Sequence, residues 1–246
     1  SRHGVWFVVA EDKRISQEFL VPPHELGGAK AGQVVSVDLI EQPQRHSQPV
    51  ARVIEVLGDY GDPGMEIEIA LRKHELPYVF PPAVARASAA IVPKVSKQDM
   101  AGRADLRKLP LVTIDGETAR DFDDAVYCKK TPKGWKLLVA IADVSHYVTV
   151  GSELDKEAHN RSTSVYFPEQ VIPMLPEILS NGLCSLNPHV DRLCMVCEMQ
   201  INAEGIISRS KFYDAVMRSQ ARLTYTEVAK ILVDGDQALA EQYQPL

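Results

Sequence analysis

Alternating apolar and polar positions mark the early part of the chain as β-structure. Segments 4–10, 33–40 and 49–58 are rich in Val and Ile and are separated by polar stretches carrying Pro and Gly, the pattern of short strands joined by turns. This rhythm predicts a small closed barrel, and periodicity alone leaves OB-type and SH3-like forms open. Segment 66–74 is mixed: Glu66-Ile67-Glu68-Ile69 alternates like a strand, while Ile67, Ala70, Leu71 and His74 recur at helical spacing, and a short helix is the better reading. Prolines between Pro77 and Pro82 then interrupt regular structure, and the small residues of 83–90 lead to an expected domain boundary near residue 92.

Beyond that boundary the periodicity becomes mixed. After a polar approach to Pro110, strands are predicted at 112–114, 125–128, 135–144, 193–201 and 206–216, with an amphipathic helix at 152–159 and a helix start at 226–232. The expected organisation is a small β-barrel over residues 1–92 followed by an α+β domain over 93–246.

Between two of these strands lie four aspartates, Asp115, Asp121, Asp123 and Asp124. Like-charged carboxylates this close repel, and each costs several kcal/mol to desolvate unless a cation or a proton compensates. A divalent metal would do so. Carboxylate oxygens suit Mg²⁺ or Mn²⁺, whereas zinc would bring His or Cys into the shell, and the segment contains neither. In an extended chain Asp121 and Asp123 share one face and Asp124 takes the other. A turn at Gly116 and a re-aimed Asp124 would let all four converge. A solvated acidic loop is the bland alternative, and EF-hand spacing counted from Asp115 fails.

The same region carries a resemblance. Leu109-Pro110-Leu111-Val112-Thr113-Ile114-Asp115 with Ala119-Arg120-Asp121-Phe122-Asp123-Asp124-Ala125 closely resembles the catalytic signature of the ribonuclease II/ribonuclease R family of exoribonucleases. Segments 139–145, 160–168, 179–188 and 221–225 match in the same order, worded more like the ribonuclease R branch. The resemblance implies a multidomain fold: a cold-shock-like OB-fold, then an α+β catalytic domain that continues past residue 246. It also implies that a further cold-shock domain, a C-terminal RNA-binding domain and a phosphate-clamping arginine lie outside this segment, so that activity of the segment alone is not assured.

The implied activity is processive 3′-to-5′ hydrolysis of single-stranded RNA to nucleoside 5′-monophosphates with Mg²⁺, for which Mn²⁺ can substitute. By the motif match Asp115 and Asp124 ligate metal, Asp121 and Asp123 complete the shell, and Asp123 matters most for turnover. Tyr166 falls where the family stacks a ring on a base near the 3′ end, Tyr225 is a weaker candidate on the same path, and Arg161 and Arg222 are candidate phosphate contacts.

Composition tempers this reading without reversing it. With 246 residues and 45% hydrophobic content there is apolar material for two cores, and no run approaches the roughly 20 apolar residues that span a bilayer. A cytoplasmic location, no membrane association and no obligate protein partner are expected. The net charge is −6; residues 1–92 carry 9 Lys/Arg against 12 Asp/Glu and the remainder 18 against 21, so neither part is basic. This counts against a broad electrostatic footprint for nucleic acid, and positive charge would line only a channel or come from segments outside this one. Cys194-Met195-Val196-Cys197 mimics a zinc motif, but on a strand its two thiols face opposite sides, and burial as small apolar residues explains them better. Two alternatives remain: a metal-dependent phosphodiesterase acting on DNA or small nucleotides, and a non-catalytic RNA-binding module. Filled aspartate positions disfavour the second.

Overall fold

The computed structural model describes residues 4–44, 47–168 and 170–243. The chain divides into two compact units, residues 1–78 and 79–246.

In the first unit, β1 (Trp6–Val9), β2 (Glu18–Val21), β3 (Gln33–Glu41) and β4 (Val50–Asp59) form one sheet in the order β1-β2-β4-β3. Antiparallel pairing of β3 with β4 is interrupted by register shifts, irregularities that bend and twist a strand. Val21, Ala51 and Val53 form the core, with Trp6, Phe19 and Leu26 packed on them. Trp6 is therefore a packing residue. The ambiguous segment is helical, α1 (Met65–Lys73), and buries Met65 and Leu71, while Arg72 reaches back to Glu55 at 2.7 Å. Strand β2 was not foreseen, because Glu18-Phe19-Leu20-Val21 is too short to show an alternation.

The break at Tyr78/Val79 falls earlier than the expected boundary near residue 92. Pro82 at the first helical position starts α2 (Pro82–Ala89), where its missing N–H is not needed, and Val84 is buried in the second unit's core. The small residues form a helix of that unit and are not a linker.

The second unit is built on a seven-stranded sheet. Its strands are β5 (Ala104–Asp105), β6 (Val112–Asp115), β7 (Asp124–Thr131), β8 (Gly134–Ala142), β11 (Asp191–Ile201), β12 (Ile207–Arg218) and β13 (Ala221–Thr224), in the order β13-β6-β7-β8-β11-β12-β5. A two-stranded hairpin, β9 (Val165–Tyr166) and β10 (Val171–Ile172), stands apart from it. Helix α3 (Glu153–Arg161) starts where Ser152 accepts a hydrogen bond from the Asp155 N–H, and α4 (Tyr225–Leu232) starts with a reciprocal capping box between Thr224 and Glu227. A short α5 (Gln237–Gln242) follows. Leu111, Phe122, Leu138, Leu179, Leu193 and Met217 belong to one continuous core. Cys194 is buried and Cys197 partly exposed, and all four cysteines are free.

The β7–β8 hairpin turns at Gly134, whose φ of +128° is outside the range of L side chains and whose added Cβ would lie 2.1 Å from the Ile201 carbonyl oxygen on β11. Gly134→Ala should lower stability by at least ~2 kcal/mol, from backbone strain plus displacement of a neighbouring strand. An unchanged urea midpoint would refute that close approach.

Candidate active site

Three strands converge on the acidic segment. Asp115 ends β6, and parallel pairing sets it opposite Thr224, the residue that caps α4. Asp124 opens β7 opposite Ile141 of β8. Between them, Phe122 is driven into the core and its backbone is tied at both ends: its N–H donates to Ser185 Oγ at 3.0 Å, and its carbonyl accepts from the Leu186 N–H at 2.8 Å. The Asp123 carbonyl accepts from the Ala142 N–H at 2.8 Å. Ser185 is wholly buried, so this tether is shielded from water. A buried phenylalanine flanked by acids thus orients Asp121, Asp123 and Asp124 through backbone contacts that do not involve their carboxylates.

The four aspartates share one electrostatic neighbourhood. Loss of hydration, joined by the charges of Asp124, Asp123 and Asp121 and opposed by Arg222, raises the proton affinity of Asp115 above the ordinary carboxylate value. Asp123 is raised as well; although the residue is exposed, protein crowding around its carboxyl is the first cause, followed by Asp121 and Asp124. One oxygen of Asp115, Oδ2, is buried with no hydrogen-bond partner. Such an orphan is costly in a folded protein. All-oxygen donors, mutual repulsion and an unsatisfied buried carboxylate oxygen fit a hard divalent cation. Among the described residues, however, no three acidic, His or Cys side chains adopt metal-holding geometry. The expected convergence is one of proximity and charge, short of an assembled coordination shell.

Tyr166, on β9, is 56% exposed. Its hydroxyl donates to both oxygens of Asp121, at 2.7 and 2.8 Å. The ring adjoins two clefts, one lined by Arg120, Asp121, Ser180 and Asn181 and a larger one, about 590 Å³, lined by Thr118, Ala119, Arg120, Phe167 and Arg222. Tyr225 is also exposed, at the first position of α4, but lines neither of these clefts.

The arginines depart from expectation. Arg161 is buried: it pairs with Glu157 at 2.8 Å, donates to the Pro173 carbonyl at 3.1 Å and lies 3.6 Å from the Phe80 ring centroid. It is a packing residue, not a phosphate contact. Arg222 donates to the carbonyls of Gly116, Glu117 and Ala119, its guanidinium stacks 4.9 Å from the Phe122 centroid, and its Nε is buried without a partner. It clasps the acidic loop from below, aided by a hydrogen bond from Thr226 to Glu117. Arg120, by contrast, is exposed, lines both clefts and makes no hydrogen bond or ion pair among the described residues. Sequence reasoning passed over it, although it stands beside Asp121 in the motif. Its position between Ala119 and Asp121 was the available signal.

The RNB domain family matches residues 103–245. The chain belongs to the RNB family. Residues 7–81 match the cold shock domain family, which decides for the OB-type form over the SH3-like one. Ribonuclease R of Escherichia coli is 60% identical over 244 residues, covering 99% of this chain and 30% of that protein, and ribonuclease R of Acidithiobacillus ferrooxidans is 51% identical over 242 residues, covering 98% and 55%. Ribonuclease R of Mycoplasma genitalium in complex with double-stranded RNA superposes with a TM-score of 0.85 at 31% identity, over 97% of this chain and 45% of that one. Yeast Ssd1, a pseudonuclease, shares the fold with a TM-score of 0.70 at 16% identity. The RNB member in hand thus spans under a third of the length of its Escherichia coli relative.

Raised proton affinity at Asp115 has a consequence for stability. Because the folded chain holds this proton more tightly than the unfolded chain, the carboxylate's cost is absent below about pH 3.8, sets in above it and is complete once the raised folded value is passed. Asp115→Asn should therefore raise the urea midpoint of the metal-free chain at pH 7 and leave it unchanged at pH 3. A variant no more stable than its parent at pH 7 would show that the repulsion is not felt.

Proposed function

We propose that this chain carries the aspartate site of a cytoplasmic 3′-to-5′ exoribonuclease, which hydrolyses single-stranded RNA to nucleoside 5′-monophosphates. The observation that carries this reading is the set of four aspartates held at one end of β6 and β7 in a member of the RNB family. Asp115, Asp121, Asp123 and Asp124 would hold Mg²⁺, with Mn²⁺ as substitute. When bound, the metal supplies a polarised phosphoryl oxygen and a more acidic attacking water.

The protein's own contribution is orientation and charge. The Phe122 tether aims the carboxylates, and Arg222 holds the loop that bears them. Crowding and the charges of Asp121 and Asp124 make Asp123 more basic than an ordinary carboxylate when no metal is bound. The exposed Tyr166 ring offers a base-stacking surface, which accepts any base and so suits stepwise degradation. Arg120 replaces Arg161 and Arg222 as the cation placed to meet a phosphate.

A segment exchange tests the reading. Placed in Escherichia coli ribonuclease R in place of the matching segment, this chain should support release of nucleoside 5′-monophosphates from a 3′ end. Asp123→Asn in that chimera should lower turnover by at least about a thousandfold, the scale on which single catalytic groups act, and leave RNA affinity within about threefold. Parallel loss of affinity and activity would refute the assigned role.

Arg120 has its own signature. Arg120→Ala should weaken oligoribonucleotide binding and reduce the slope of log affinity against log salt by about one, the expectation for one lost phosphate contact. An unaltered salt slope would remove Arg120 from the RNA path.

A further inference from the structure

The Tyr166 hydroxyl and the Tyr166 ring face different tasks. Tyr166 lines the clefts beside Arg120, and its hydroxyl donates to Asp121, a carboxylate 45 residues away in sequence that lines the smaller cleft with it. Among the described residues it is the sole hydrogen-bond donor to Asp121.

Asp121 needs such a partner. It contributes to the repulsion that raises both Asp115 and Asp123, so a free Asp121 side chain would relax by rotating away from them into water. No backbone amide restrains its carboxylate; the tethers run through Phe122 and Asp123. A single O–H shared between two oxygens fixes the plane of the carboxylate and occupies only part of its acceptor capacity, since an ionised carboxyl offers about four lone-pair sites. Donation to an ionised acceptor is also stronger than a neutral hydrogen bond. A phenol keeps its proton throughout the neutral range, so the hydroxyl remains a donor.

We propose that Tyr166 is a positioning residue for the aspartate site: its hydroxyl holds the Asp121 carboxylate in place against its like-charged neighbours, separately from any stacking by its ring. Short strand β9, paired with β10 through Tyr166 opposite Val171, carries that arm. Base stacking and carboxylate positioning then reside in one side chain, so a nucleotide that seats on the ring also meets a prepared carboxylate. This inference rests on the metal-site reading above.

Mn²⁺ binding to this chain, followed by electron paramagnetic resonance in the presence of 5′-AMP, separates the two tasks. Tyr166→Phe keeps the ring and removes the hydroxyl. It should weaken Mn²⁺ binding about tenfold, the scale of one charge-assisted hydrogen bond, while 5′-AMP affinity measured without metal and thermal midpoint stay within error. Tyr166→Ala should weaken both ligands. Mn²⁺ affinity unchanged in Tyr166→Phe, alongside binding that Asp123→Asn abolishes, would overturn the positioning role and leave the metal site standing. Failure of the parent chain to bind Mn²⁺, or binding that survives Asp123→Asn, would overturn the metal-site reading and this inference together.

Discussion

Four carboxylates that repel one another must be kept together by groups that do not neutralise them. That constraint organises the second unit. If the aspartates were held by direct ion pairs, the cations would occupy the oxygens that a metal or a proton must reach. The structure instead transfers the restraint to the backbone. Phe122 is buried, its N–H and carbonyl are bound by Ser185 and Leu186, and the strand continues into β7 with Asp124 already in register with Ile141. Apolar burial of one ring, worth ~1.5–3 kcal/mol, opposes repulsion that is spread over several exposed or half-exposed charges.

Arg222 works by a related logic. It is near enough to lower the proton affinity of Asp115, yet its Nη2 is committed to loop carbonyls and it forms no ion pair with Asp115 among the described residues. A fixed positive charge thereby moderates the cluster without occupying its acceptors. Parallel pairing of β13 with β6 makes this possible: it sets Arg222 opposite Thr113 and Thr224 opposite Asp115, so the capping box of α4 forms directly beside the acidic loop. The site consequently depends on a segment more than a hundred residues downstream of the motif.

The strands and the helix starts were legible because their signals are local. The helix expected at 152–159 and the helix start at 226–232 lie within a residue or two of α3 and α4, and the long strands expected at 193–201 and 206–216 are β11 and β12. What could not be read was long-range. Nothing near Arg161 in the sequence announces Phe80 or Pro173, and nothing near Arg222 announces the carbonyls of Gly116 and Glu117, so both read as candidate phosphate contacts. The small residues of 83–90 give no sign of which unit they join until Val84 is seen in the core of the second. The four aspartates were recognisable as a set, but the tether that aims them depends on Ser185, which no spacing rule connects to Phe122.

The charge distribution fits these assignments. A chain of net charge −6 cannot attract a polyanion over its whole surface, and two of the arginines that could have done so locally are turned inward. Arg120 remains exposed at the junction of the clefts, next to Asp121 and the hydroxyl of Tyr166. One free cation beside a negative cluster gives little long-range attraction, since at physiological salt charges separated by more than about 8 Å are largely screened. On the proposed reading, binding at this site comes chiefly from contact: a ring for a base, a guanidinium for a phosphate, and carboxylates that repel the substrate until a metal compensates them.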